Sequence, residues 1–122
     1  MALTTLVAPI DESRLGEWEA FTTEMLGPRR AEYEESRRRL HIKKERVLVQ
    51  RDPDGPKIIY AITTQRNRIA EMYPGLAASQ DPFDVWYKER IKNLLGIEFR
   101  PEFQTEEPVT LSLRLPTPPV RR

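Results

Sequence analysis

Cysteine is absent from this 122-residue chain and histidine occurs once, at His41. The first absence excludes disulfides, thiolate nucleophiles, iron–sulfur clusters and zinc ribbons, and it fits a reducing compartment. The second excludes HExxH zinc sites and multi-histidine metal centres, and makes any Ser-His-Asp triad depend on His41. No metal and no cofactor is therefore expected. An excess of one charge is also missing: 20 Lys and Arg against 19 Asp and Glu leave a formal +1, which argues against a nucleic-acid partner. No apolar run approaches the ~20 residues that cross a bilayer. Residues 1–10 lack a basic segment and are followed by Asp11 and Glu12, so no signal peptide and no membrane partner are read, and a cytoplasmic location is expected. With only five glycines, neither a P-loop nor a GxGxxG turn is present.

What is there is proline, 11 of 122 residues, five of them after residue 100, about twice the usual ~5%. The length predicts one domain, read as residues 1–115, with the closing PTPPVRR (116–122) as a tail. Residues 3–9 form a β-branched apolar stretch ended by Pro9, a first strand. Asp11 can cap a helix in which Leu15, Trp18, Phe21, Thr22 and Met25 share a stripe. Gly27-Pro28 interrupts that helix and predicts a kink or restart. Residues 29–40 continue as helix, with Glu34/Arg38 and Glu35/Arg39 as i,i+4 pairs. Residues 43–51 and 57–63 are strand-like, and Asp52-Pro53-Asp54-Gly55 between them predicts a hairpin. A short helix over Ile69–Tyr73 ends at Pro74-Gly75. Asp81-Pro82-Phe83-Asp84 then opens a second main helix that runs to Gly96. Ile97 and Phe99 could add a brief strand. Val109, Leu111, Leu113 and Leu115 alternate with Thr110, Ser112 and Arg114 as a final strand.

Strand, helix, strand, strand, helix, strand is the α+β, ferredoxin-like βαββαβ order: a four-stranded antiparallel sheet with two main helices on one face. Both faces of that sheet carry apolar side chains. Ile58, Tyr60 and Ile62 point one way and Ile59 and Ala61 the other, while Val47 and Val49 oppose Leu48. At ~25 cal/mol per Å² of apolar area, leaving the open face in water would cost several kcal/mol. A homodimer packed sheet to sheet is therefore expected, closed by two-fold symmetry.

Three stretches carry a resemblance: Glu17-Trp18-Glu19-Ala20-Phe21; Gly27-Pro28-Arg29-Arg30 with residues 32–40 (EYEESRRRL); and residues 79–86 with Asp81-Pro82-Phe83-Asp84. In them, and across most of residues 4–115, the chain resembles the dimeric α+β barrel superfamily, which includes stress-responsive A/B barrel proteins and antibiotic-biosynthesis-type monooxygenases. The nearest likeness is to small bacterial proteins of that superfamily with no assigned activity. The resemblance implies a ligand cavity between helices and sheet in each protomer, and often a reaction without metal or flavin. The chain departs from the pattern at His41, where a glycine is expected after the helix.

The candidate site residues each have a structural reading beside the functional one. His41 sits at an expected helix end, where a left-handed residue or a cation is favoured; capping comes first, and an acid–base or haem-ligating role second. Arg29 and Arg30 at the helix restart could hold a carboxylate or phosphate, or could pair along a solvated face. Trp18, Tyr33, Tyr60, Trp86 and Tyr87 are core residues or the walls of an aromatic pocket, with Tyr33 and Tyr60 as candidate catalytic hydroxyls. Gln50 needs solvent or a partner, Glu32 and Asp84 are candidate bases, and Asp84 also suits the first turn of its helix. Arg37, Arg38 and Arg39 read as a solvated face. The functional expectation is a small-molecule-binding protein, a cofactor-independent oxygenase, cyclase or isomerase acting on an apolar or aromatic substrate that can be anionic. The alternative is a non-catalytic ligand carrier or stress-response module.

Overall fold

The computed structural model describes residues 1–100, arranged as an α+β fold with a three-stranded antiparallel sheet and four helices. The strands are β1 (Ala2–Pro9), β2 (Ile42–Asp52) and β3 (Gly55–Thr64), in the order β1-β3-β2. The helices are α1 (Leu15–Leu26), α2 (Arg30–Arg39), α3 (Ile69–Ala78) and α4 (Pro82–Leu95). The strand expected over residues 109–115 and the tail 116–122 lie outside the described residues. Ile97 and Phe99 belong to no strand; they pack against the core from the segment after α4.

Local chemistry sets most boundaries. Asp11 caps a short 3-10 turn before α1, accepting from the Ser13 backbone N–H at 2.9 Å and the Ser13 hydroxyl at 2.6 Å. Gly27 ends α1, and a Cβ there would meet the Thr23 carbonyl oxygen at 2.9 Å, so the chain can turn tightly only without a side chain. The Asp52–Gly55 turn joins β2 to β3, with Gly55 at φ +122°. Asp81 caps α4 through the Phe83 N–H, Pro82 takes the first helical position, and Gly96 closes the helix in the left-handed region.

Helix α3 corrects one expectation: it does not stop at Pro74 but runs through it to Ala78. Proline removes one backbone hydrogen bond there. Burial of Ile69, Met72, Tyr73 and Leu76 on one stripe of the same helix offsets the loss. Gly75 lets this helix close on Leu40, whose Cδ2 would lie 3.3 Å from an added Cβ.

One core joins the elements. Ile58, Tyr60 and Ile62 of β3 meet Leu15, Trp18, Phe21 and Met25 of α1 and Phe83, Tyr87, Ile91 and Leu94 of α4. The opposite face of the sheet is apolar as well. Val7, Ile59 and Leu48 share one register row across all three strands, and Leu3, Val7 and Leu48 stay 55–60% exposed.

Candidate functional site at the junction of α2 and β2

Two periodicities meet at this junction. On α2 the spacing 33, 36, 37, 40 puts Tyr33, Ser36, Arg37 and Leu40 on one stripe. On β2 a bulge skips Lys43: Ile42 pairs with Thr64 and Lys44 with Thr63. The extra residue reverses the alternation, so that Ile42 and Glu45, three positions apart, both turn toward the helices. Glu45 is thereby brought under α2, beside Arg37.

The result is a buried ion pair. Arg37 Nε donates to Glu45 Oε1 at 3.4 Å, and the two side chains are only 8% and 4% exposed. Tyr33 Oη donates to the same carboxylate oxygen at 2.6 Å. The Arg37 guanidinium also lies over the rings of Tyr33 and Tyr87, 4.8 and 4.5 Å from their centroids. Its Nη1 donates to Ser36 Oγ at 3.1 Å, and Ser36 passes its own proton toward Asp84 at 2.5 Å. Asp84 further accepts from Ser79 at 2.5 Å and from Arg39 at 3.1 Å. A continuous polar chain thus crosses the molecule from Arg39 through Asp84, Ser36, Arg37 and Glu45 to Tyr33.

Electrostatics follow from this packing. Burial disfavours the Arg37 charge, but the Glu45 carboxylate together with Tyr87 and Tyr33 outweighs it and raises the guanidinium pKa further. Burial would push Asp84 up, yet the hydrogen bonds from Ser36, Ser79 and Arg39 together hold it below 3.8. Burial raises the tyrosines as well, and there it prevails. Tyr60 and Tyr73 are pushed up to about 12, and Tyr33 and Tyr87 are also raised well above the usual phenol value, the neighbouring Glu45 adding to the effect. Each of the four phenols is protonated at neutral pH.

Two spaces adjoin the pair. Outside it a cleft of about 300 Å³ opens between α2 and the start of β2, lined by Tyr33, Glu34, Arg37, Arg38, Ile42, Lys43, Lys44 and Glu45. Inside it a void of about 20 Å³ lies among Leu6, Leu40, Tyr60, Met72, Tyr73, Tyr87 and Phe99. That void holds no more than about one water. Arg37, Ile42 and Glu45 line both, so the ion pair is the wall between cleft and core.

The residues singled out in the sequence divide into three groups. Tyr33, Tyr60 and Tyr87 gather around Arg37. Trp18 Nε1 donates to Tyr60 Oη at 3.1 Å in the core below. Arg29 and Arg30 are directed elsewhere. Arg29 pairs with Glu24 at 2.8 Å and stacks over Trp86 at 4.2 Å, and Arg30 pairs with Glu34 at 3.0 Å in solvent. His41 takes φ 60°, the left-handed position expected of a helix end. Among the bases considered, Glu32 lies at the surface near Arg29, and Asp84 serves the buried network rather than the backbone of α4. Gln50 turns to solvent and donates to Asp52 at 2.7 Å.

The Arg37–Arg39 run corrects the expectation of a solvated face. Arg38 is solvated, Arg39 bridges Asp81 and Asp84, and Arg37 is buried because it lies on the inward stripe. Among the described residues no three His, Asp or Glu side chains assemble a metal site, and no helix is long and apolar enough to cross a membrane. No protein-family model, curated protein or solved structure matches the chain.

Proposed function

We propose that the protein binds a small organic molecule in the cleft between α2 and β2, and that it does so as a homodimer of dimeric α+β barrel type. The observation that carries the binding role is the buried Arg37–Glu45 pair at the foot of a 300 Å³ cleft. A buried pair is weak support for stability, because desolvating two charges offsets most of their attraction. Its placement as a wall facing an open cleft fits ligand recognition better. The open cleft is favoured over the inner void as the site because that void, about 20 Å³, is too small for a substrate. Tyr33 and Arg37 can orient and neutralise an oxygen-bearing group, which is also what a cofactor-independent reaction would ask of them.

The dimer reading rests on the row Val7–Ile59–Leu48, with Leu3 beside it. A second copy buries the same row against itself, as an isologous two-fold contact requires. Sedimentation of the full chain at micromolar concentration should give a dimer, and Leu48→Lys should give a folded monomer. A compact monomer for the unaltered chain would end the dimer reading. For the site, titrations with small organic molecules followed by amide chemical shifts should perturb residues 33–45, and shifts confined to other regions would remove the cleft as the binding site.

A further inference from the structure

Arg37 is more than nine-tenths buried, yet its bonding is incomplete. Nε is engaged by Glu45 and Nη1 by Ser36, while Nη2 donates to no described residue. That unengaged edge belongs to a residue lining the cleft. Two more cations stand at the same opening. Lys43 is the bulge residue and Lys44 follows it, and neither side chain pairs with a described residue. The acids of the cleft are already paired: Glu34 with Arg30 and Arg38, and Glu45 with Arg37 while it accepts a hydrogen bond from Tyr33. What remains available is a planar guanidinium edge and two ammonium groups, a donor set matched to an oxyanion.

The remaining walls narrow the class. The Tyr33 ring and the Ile42 side chain give the cleft an apolar side. A volume of about 300 Å³ is at the small end of ligand pockets, enough for one ring and one acidic group. Building on the binding reading above, we infer that the cleft takes a single-ring aromatic carboxylate. The carboxylate would meet the Nη2 edge of Arg37 with Lys43 and Lys44 closing over it, and the ring would lie between Tyr33 and Ile42. The bulge acts in both halves of this site, since the same inserted residue turns Ile42 inward beside Glu45 and leaves Lys43 at the mouth.

Calorimetric titration of the full chain with benzoate, benzyl alcohol and inorganic phosphate tests the inference. Benzoate should bind at least about tenfold tighter than benzyl alcohol, and Lys43→Gln with Lys44→Gln should weaken it about fivefold or more while the melting temperature stays unchanged. Because Arg37→Ala would strand the buried Glu45 charge, Arg37→Lys serves instead: it keeps the charge, removes the planar edge and should weaken benzoate further. Equal binding of benzoate and benzyl alcohol would overturn the carboxylate class and leave the binding reading standing. Phosphate binding tighter than benzoate would overturn the aromatic part. If none of the three probes binds and no other small organic molecule shifts residues 33–45, both the inference and the binding reading fall.

Discussion

The two ends of α2 carry the same residue type in opposite roles. At its start Arg30 is 69% exposed and holds Glu34 across one turn. One residue earlier, Arg29 spreads over Trp86. Near the end of the helix Arg37 is 8% exposed, gripped by Glu45, Ser36 and two tyrosine rings. The difference comes from the partner surface, not from the helix. Arg30 has only solvent and its own helix beside it, whereas Arg37 faces a strand whose bulge supplies a carboxylate. An exposed i,i+4 pair contributes roughly 0.3–0.5 kcal/mol. A buried pair is nearly neutral as a pair, but removing one member leaves an uncompensated charge costing about 3–5 kcal/mol.

That contrast can be broken from its strong end downward. Glu45→Ala should destabilise the fold by about 3–5 kcal/mol in chemical denaturation, by stranding the Arg37 charge. The double replacement Arg37→Met with Glu45→Leu should lose less than Glu45→Ala alone, and a larger loss would show that the pair stabilises rather than specifies. Asp84→Asn should cost about 1–3 kcal/mol near neutral pH, since it weakens the acceptor of three hydrogen bonds. It should also flatten the acid limb. Asp84 is held below 3.8 in the fold, so its contribution is present above that pH and is lost as pH falls through the lower folded value. An unchanged acid limb in Asp84→Asn would place the acid sensitivity elsewhere.

The tyrosines give a weaker effect at the other end of the scale. Their folded pKa values are raised, so the stability they contribute is complete below pH 10 and disappears as pH rises toward about 12 for Tyr60 and Tyr73. Absorbance at alkaline pH should therefore show little tyrosinate until the chain unfolds, and early ionisation of even one phenol would mean an open interior. The smallest effect belongs to Arg30→Ala. It should change stability by no more than about 0.5 kcal/mol and lower ligand affinity less than twofold, because Arg38 still pairs with Glu34, whereas a large loss of affinity would return the anion site to the start of α2.

Much of this was legible in the residues themselves. The hairpin at Asp52–Gly55, the restart at Gly27-Pro28, the cap of α4 and the left-handed His41 follow from side chains that act locally. The stop placed at Pro74 failed because a local rule met a stronger tertiary one, the burial of Met72, Tyr73 and Leu76. The site was half visible. Tyr33, Arg37 and Leu40 lie on one helical stripe, and Glu45 shares its parity with Val47 and Val49, so both charged residues stood on inward positions. Reading the Arg37–Arg39 run as a unit concealed that. The bulge at Lys43 leaves no mark in composition, and without it neither the inward turn of Ile42 nor the place of Lys43 could be foreseen.

The account turns on a guanidinium held inside the protein at the wall of a cleft. The side-chain Nε–Hε signal of Arg37, assigned by its disappearance in Arg37→Lys, tests this most directly. At neutral pH it should be a sharp resonance, resolved from the other arginines and slow to exchange with water, and it should lose that protection in Glu45→Gln. A signal that merges with those of Arg30 and Arg38 and exchanges as fast as theirs would contradict the buried pair and the site built on it.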